Sequence, residues 1–209
     1  MTQRLFLFDL DGTLVDSAPD LAGAMNEMLA ARGLPERPLE ELREPSGHGG
    51  PALLKAAFGM ERTDPRFEAM RQEFLERYAA RATRSSTLYP NVVQMLDRLT
   101  AAGVKLGVVT NKPQGLAEIV CEHLGLTPRM TVVVGLGPAG TALKPKPDSL
   151  IYALKLAGAK AADALYAGDS NSDGLAWVSW GCQKTPPDSG IFDYIADEPA
   201  QLVEWALFR

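Results

Sequence analysis

Cysteine, histidine and long apolar runs are all scarce in this chain of 209 residues. The two cysteines, Cys121 and Cys182, are isolated and fit no metal-binding spacing, so we expect a reducing compartment. The two histidines, His48 and His123, are too few for a histidine-rich metal site. No segment approaches the roughly 20 apolar residues that cross a bilayer, and the first residues lack a signal-peptide pattern. We therefore expect a cytoplasmic protein with no membrane partner.

Positive charge is also scarce. The chain has 21 Lys and Arg against 26 Asp and Glu, a formal net charge of −5, and no dense basic cluster. This balance argues against a nucleic-acid partner, but it leaves room for a local cationic site that binds an anionic metabolite. Because 46% of the residues are hydrophobic, a chain of this length can bury a full core.

Four short apolar runs alternate with segments that have helical spacing. The runs are residues 5–8, 106–109, 131–134 and 164–167. Strands that alternate with helices predict an α/β fold, a Rossmann-like parallel sheet with helices on both faces. Ligands of such folds bind at the carboxyl ends of the strands. The polar residues that follow these runs should therefore converge on one site.

Residues 18–85 interrupt this alternation because they contain no strand-like run. Their apolar residues recur at helical spacing, which predicts several helices. We therefore predict a helical cap, residues 18–85, inserted after the first strand of a core domain formed by residues 1–17 and 86–209. An insertion in a loop above a site is placed to act as a lid.

The first apolar run leads into two aspartates, Asp9 and Asp11, followed by Gly12 and Thr13. Side chains two positions apart on an extended segment point to the same side, so these two like charges repel each other. A bound cation or a catalytic task would justify the pair. The alternative is a solvated turn, in which Asp and Gly are common.

Further polar residues lie at the ends of the later predicted strands: Thr110 with Asn111, Lys144, and Asp169 with Asp173. Each could be a helix cap or a solvated loop residue if taken alone. Taken together, three carboxylates can hold a hard divalent cation such as Mg²⁺. A hydroxyl, an amide and an ammonium can bind a phosphate while a carboxylate attacks phosphorus.

In this order the motifs resemble the haloacid dehalogenase superfamily of phosphohydrolases, and most of all its phosphoglycolate phosphatase branch. The resemblance covers most of the chain, and the helical insertion is similar to the first cap type of that superfamily. Four motifs carry it: Asp-Leu-Asp-Gly-Thr at 9–13, Thr110-Asn111, Lys144 before Pro145, and Gly168-Asp169 with Asp173.

The resemblance implies a Mg²⁺-dependent phosphatase that acts on a small phosphorylated metabolite, such as phosphoglycolate or a sugar phosphate. Asp9 would be the nucleophile that forms an aspartyl-phosphate. Asp11 would protonate the leaving oxygen and later take a proton from water. Thr110, Asn111 and Lys144 would bind the phosphoryl group.

The same resemblance implies the metal and cap contacts. Mg²⁺ would be held by the carboxylates of Asp9 and Asp169 and by the main-chain carbonyl of Asp11, with support from Asp173. A glycine-rich cap loop over residues 46–50 would reach the rest of the substrate through Gly47, His48 and Gly49.

Two alternatives stay open: a phosphomutase of the same fold, and a catalytically weakened binding or regulatory protein. A dehalogenase is disfavoured, because a halide leaving group needs no proton from Asp11. The protein would be a monomer or a homodimer.

The segment after Asp173 departs from the family pattern, which has a helix followed by a strand. A parallel crossover needs about a dozen residues, so either residues 172–180 form a helix or the edge of the sheet is rearranged, and we favour the helix. A last strand is predicted over residues 191–195. The shortened segment leaves open how Asp173 is placed and whether it supports a metal.

Overall fold

Eight strands form two sheets in this computed structural model, which describes residues 4–137, 140, 142–170, 173, 176–182 and 193–208. The strands are β1 (Leu5–Phe8), β2 (Val15–Asp16), β3 (Thr87–Leu88), β4 (Lys105–Pro113), β5 (Val132–Leu136), β6 (Ala164–Gly168), β7 (Ala176–Val178) and β8 (Tyr194–Ala196). Six of them form a sheet in the order β5-β4-β1-β6-β7-β8, and all neighbours in it are parallel. Strands β2 and β3 form a separate antiparallel pair.

Eight α-helices connect the strands within the same described ranges. They are α1 (Ala18–Ala30), α2 (Leu39–Gly47), α3 (Gly50–Phe58), α4 (Phe67–Ala79), α5 (Val92–Ala101), α6 (Gln114–His123), α7 (Asp148–Ala157) and α8 (Pro199–Phe208). None of these helices combines the length and the apolar character that crossing a membrane requires.

Alternate side chains of the central strand β1 face opposite sides of the sheet. Leu5 and Leu7 pack in one apolar cluster with Ala153 of α7. Phe6 and Phe8 belong to a larger cluster that also contains residues of α5 and α8. Because both faces are covered, all four residues of β1 are buried, as the continuous apolar run indicates. The predicted α/β fold with a parallel sheet is confirmed.

Helices α1–α4 form the helical insertion after the first strand, and they pack against one another. Strands β2 and β3 pair where the chain enters and leaves this insertion. Close by, the buried Asp20 carboxylate accepts hydrogen bonds from the main-chain N–H groups of Ser85 and Ser86. The two ends of the insertion therefore lie side by side. The division into a core (1–17 and 86–209) and a cap (18–85) stays a proposal.

The segment after Asp173 differs from the prediction. The helix predicted over residues 172–180 is wrong, because residues 176–178 form strand β7, parallel to β6. A long crossover is unnecessary because β7 begins beside the end of β6, where Ala176 lies next to Ala167. Val178 is buried, but it belongs to strand β7 and not to a helix. Residues 172, 174 and 175 lie outside the described residues.

The last strand and the glycine-rich segment also differ in detail. Strand β8 (Tyr194–Ala196) overlaps the strand predicted over 191–195, whose first two residues lie outside the described ranges. The predicted cap loop over residues 46–50 is mostly helical, because α2 ends at Gly47 and α3 begins at Gly50. Only His48 and Gly49 separate the two helices. Gly49 has φ +76°, a conformation that glycine adopts without strain.

Candidate active site

Three buried carboxylates converge at the carboxyl ends of β1 and β6. Asp9 follows β1, Asp169 follows β6, and Asp173 lies four residues further on. One oxygen from each carboxylate lies within 4.8 Å of the others. Exposed fractions of 8%, 1% and 3% leave these groups little access to bulk water. Four residues are predicted to hold a metal, and the structure brings three of them together: Asp9, Asp169 and Asp173.

Lys144 lies among these carboxylates. Its Nζ is 3.0 Å from Oδ2 of Asp9 and 2.6 Å from Oδ1 of Asp173. The same Nζ donates a hydrogen bond of 2.5 Å to the hydroxyl of Tyr166. Asn111 fixes the main chain of Lys144, since its Oδ1 accepts from the Lys144 N–H at 2.8 Å and its Nδ2 donates to the Lys144 carbonyl at 3.3 Å. The Asn111 amide therefore orients the lysine.

The pKa values of this cluster show an excess of buried negative charge. Burial raises the pKa of Asp9 to about 6, and Lys144 opposes the rise while Asp173 adds to it. Burial likewise raises the pKa of Asp169 to about 8, with further contributions from Asp9 and Asp173. Burial lowers the pKa of Lys144, but Asp9 and Asp173 outweigh this effect and raise it. The lysine is therefore a permanent cation, and one cation does not offset three carboxylates.

The shortened segment after Asp173 supports the cluster directly. The main-chain N–H of Cys182 donates to Oδ2 of Asp169 at 2.8 Å, and Nε1 of Trp177 donates to the Asp169 carbonyl at 3.0 Å. The N–H and hydroxyl of Ser170 both donate to Oδ2 of Asp173. Both aspartates are thus anchored without the helix that the family pattern places here.

Gly12 allows the first motif to approach Asp169. It has φ +81°, and a Cβ built on it would lie 2.2 Å from Oδ2 of Asp169. Gly33 is a matched control, because it has φ +67° but nothing within 4 Å of its Cβ position. We expect Gly12→Ala to lower the free energy of unfolding by about 1–3 kcal/mol more than Gly33→Ala, because only the first variant adds a clash to the strain. Urea denaturation measures both, and equal losses would contradict this packing.

Asp11 lies outside the three-carboxylate cluster. Its Oδ1 and Oδ2 are 2.6 and 2.8 Å from Nζ of Lys112, and Oδ1 also accepts from the hydroxyl of Ser17 at 2.5 Å. Lys112 is itself buried, with its Nζ 4.7 Å from the ring centroid of Tyr78 on helix α4. The Asp11 side chain is therefore held by a lysine and is not one of the three clustered carboxylates.

A cavity of about 780 Å³ lies between the helical insertion and the sheet. The predicted catalytic and substrate-binding residues all line it: Asp9, Asp11, Gly47, His48, Gly49, Thr110, Asn111 and Lys144. Gly47 comes so close to the core that an added Cβ would lie 2.8 Å from Cβ of Cys182. Thr110 is buried, and its Oγ1 accepts a hydrogen bond from the Lys112 N–H at 3.2 Å.

Sequence reasoning missed three groups at this site: Lys112, Tyr166 and the main chain of Cys182. Lys112 had a signal, since it stands two positions after Thr110 on an extended segment and should face the same side. Tyr166 had none, because it stands within an apolar run that reads as a core strand. The Cys182 N–H had none either, because any residue can supply it.

The chain is similar to bacterial phosphatases over nearly its whole length. The phosphoglycolate phosphatase of Xanthomonas campestris pv. campestris is 39% identical, over 96% of this chain and 95% of that protein. The N-acetylmuramic acid 6-phosphate phosphatase of Pseudomonas aeruginosa is 34% identical, over 98% of this chain and 95% of that protein.

A solved structure and a family model agree with these similarities. The structure, described as a predicted phosphoglycolate phosphatase from Haemophilus somnus, has a TM-score of 0.82 and 29% identity, and the match covers 98% of each chain. The model, described as haloacid dehalogenase-like hydrolase, matches residues 6–183. The predicted fold and enzyme class are thereby confirmed, and the chain belongs to the haloacid dehalogenase-like hydrolase family.

Proposed function

We propose that this chain is a Mg²⁺-dependent phosphatase that hydrolyses a small phosphomonoester through an aspartyl-phosphate on Asp9. The observation that carries the proposal is the cluster of Asp9, Asp169 and Asp173, in which Lys144 pairs with Asp9 and Asp173, beside the cavity that Thr110 lines. An intact cluster of this kind favours catalysis over a weakened binding protein. We also propose a cytoplasmic location, in keeping with two cysteines that are free.

The donor set fits a hard divalent cation. When all three carboxylates are ionised, they and Lys144 carry two uncompensated negative charges, which a divalent cation offsets. The carboxylates of Asp9 and Asp169 and the main-chain carbonyl of Asp11 would hold Mg²⁺, an ion that prefers oxygen ligands. The bound ion would reduce the repulsion between Asp9 and the substrate phosphate. Asp173, whose oxygens accept from Lys144 and Ser170, supports the site from beside it.

In the first step a carboxylate oxygen of Asp9 attacks phosphorus, and the bond from phosphorus to the leaving oxygen breaks. Asp11 gives its proton to that leaving oxygen, so the product departs as an alcohol. Thr110 and Lys144 bind the phosphoryl oxygens, and Lys144 also holds Asp9 at 3.0 Å. Asn111 contributes indirectly, because it fixes the main chain of Lys144.

In the second step a water molecule attacks the phosphorus of the aspartyl-phosphate. Asp11, now a carboxylate, takes a proton from that water. The bond from phosphorus to the Asp9 oxygen breaks, inorganic phosphate leaves, and both aspartates return to their starting states.

Release of inorganic phosphate tests the proposal. The substrates are p-nitrophenyl phosphate, 2-phosphoglycolate and several hexose 6-phosphates, each assayed with Mg²⁺ and with a chelator. We expect turnover of at least one compound with Mg²⁺ and a loss of turnover on chelation. A protein that releases no phosphate from any of them would contradict the phosphatase, and full activity in the chelator would contradict the metal requirement. Conversion of a hexose 6-phosphate into its isomeric 1-phosphate, without release of inorganic phosphate, would indicate a phosphomutase.

The raised pKa of Asp169 predicts how Mg²⁺ binding depends on pH. Folding raises this pKa from 3.8 to about 8, so the metal-free folded protein binds more protons than the unfolded chain between these values. Its stability therefore falls as the pH rises through that window, and Mg²⁺ recovers the loss because it binds the ionised carboxylate. We expect saturating Mg²⁺ to raise the melting temperature more at about pH 8 than at about pH 5. The same increase at both pH values would contradict the assignment, and Asp169→Asn should remove most of the effect.

A further inference from the structure

One face of helix α4 lines the cavity, and a single cation stands on it. Phe67, Arg71, Phe74, Leu75 and Tyr78 all line the cavity, and their spacing of three, four and seven residues places them on one side of the helix. Four of these five side chains are apolar or aromatic. Glu68 on the same helix also lines the cavity, and Arg71, which is 37% exposed, is the one cation that α4 contributes to the described lining residues.

Arg71 is not committed to a strong partner inside the protein. It pairs with Glu68 at 3.3 Å, but their side chains are 37% and 79% exposed. An exposed pair of this kind contributes little, because both groups keep water within reach. A second arginine, Arg62, lines the same cavity from the turn before α4 and forms no ion pair within the described part of the chain.

The charges that line the cavity divide between its two sides. On the sheet side each lysine has an acidic partner, since Lys144 pairs with Asp9 and Lys112 pairs with Asp11. On the side of the insertion, Arg62 and Arg71 stand against Glu68 alone among the described lining residues. The insertion therefore leaves a net positive charge facing a cavity whose other side binds the phosphate. A guanidinium recognises a carboxylate through two parallel hydrogen bonds.

The helix also sets a distance between the two sides. The ring of Tyr78 lies beside Lys112, which holds Asp11, so this end of α4 marks the reacting centre. Arg71 stands seven residues, or about two turns, earlier, which is a rise of roughly 10 Å along the helix axis. This rise between the two helix positions is comparable with the width of a sugar ring with its substituents.

We propose that Arg71 and Arg62 form a subsite for a carboxylate on the substrate, so that the enzyme takes an acidic sugar phosphate rather than a neutral one. This inference rests on the proposed phosphatase activity and specifies its substrate class. The phosphate lies at Asp9 and Lys144, the sugar ring packs along Phe74 and Leu75, and the carboxylate pairs with the two guanidinium groups. Arg71 and Arg62 act on specificity and take no part in the chemical steps.

Two sugar phosphates that differ only in the acidic substituent test this subsite. N-acetylmuramic acid 6-phosphate carries a lactyl carboxylate, and N-acetylglucosamine 6-phosphate lacks it. We expect kcat/KM to be about tenfold or more higher for the acidic sugar, which is the size of a charge-assisted hydrogen bond. In Arg71→Met and Arg62→Met that ratio should fall toward one, mainly through KM of the acidic sugar. Methionine keeps the length and apolar packing of the stem, so folding is preserved.

Arg66→Met is the matched control, because Arg66 stands between the two arginines, is exposed, pairs with Asp64 and does not line the cavity. The ratio of kcat/KM for the acidic sugar to kcat/KM for the neutral sugar should be the same in this variant as in the unchanged protein. Equal kcat/KM for the two sugars, or a preference that survives both substitutions, would overturn the subsite. A preference for 2-phosphoglycolate over the acidic sugar would contradict the proposed distance between the phosphate site and the carboxylate subsite. Failure of the phosphatase itself is distinguishable, because neither sugar phosphate would then release phosphate.

Discussion

Asp9→Asn is expected to abolish phosphate release, with a fall in kcat of about 10⁴-fold or more, because the amide has no anionic oxygen to attack phosphorus. The substitution keeps the shape of the side chain, and Oδ1 can still accept the hydrogen bond from the Leu10 N–H. It also removes a buried charge whose pKa is raised to about 6, so the metal-free variant should be at least as stable as the unchanged protein. Phosphate release and thermal denaturation in a chelator measure the two effects.

Asp16→Asn is the matched control for this loss. Asp16 belongs to the same part of the chain, at the end of β2, and its carboxylate pairs with Arg43 instead of facing the cluster. The control should keep its turnover within about threefold of the unchanged protein. Substantial activity in Asp9→Asn would show that another group attacks phosphorus.

Lys144→Met is expected to have the largest effect on stability. The side chains of Lys144 and Asp173 are 1% and 0% exposed, so removing the ammonium leaves a buried carboxylate without its cation. The free energy of unfolding should fall by about 3–5 kcal/mol, which is the cost of breaking a buried ion pair on one side. Turnover should also fall by about 10²–10³-fold, because Lys144 stabilises the charge that develops on the phosphoryl oxygens.

Lys146→Met is the matched control, because it removes a lysine from the same segment without touching the carboxylate cluster. Lys146 stands two residues later, is exposed and does not line the cavity. Its loss should change the free energy of unfolding by less than about 0.5 kcal/mol. Urea denaturation of both variants makes the comparison, and similar small losses would contradict the central place of Lys144 in the cluster.

The features that sequence predicts well here are those in which residue type and local conformation act together. An apolar run followed by Asp9 and Asp11 predicts a buried strand whose end carries the chemistry, and the parallel sheet then brings Thr110 and Asp169 to the same edge. Such predictions need only the period of a strand and the topology of the fold. They place the residues without giving their hydrogen-bond partners.

The features that sequence does not predict depend on register or on distant partners. The strand over residues 176–178 reads as a helix because a full crossover is assumed, whereas the actual pairing involves only the last two residues of β6. Lys112 and Asp11 are 101 positions apart, and no local pattern links them. Asp169 depends on the N–H of Cys182, a donor that every residue except proline carries.

The covalent phosphate on Asp9 is the central claim, and direct detection tests it best. The enzyme is mixed with p-nitrophenyl phosphate and Mg²⁺, quenched in acid within the first turnovers, digested and examined by mass spectrometry. We expect a phosphate on the peptide that contains Asp9, which disappears once the substrate is exhausted and is absent from Asp9→Asn. Turnover with no phosphorylated peptide, or with the phosphate on another residue, would contradict it.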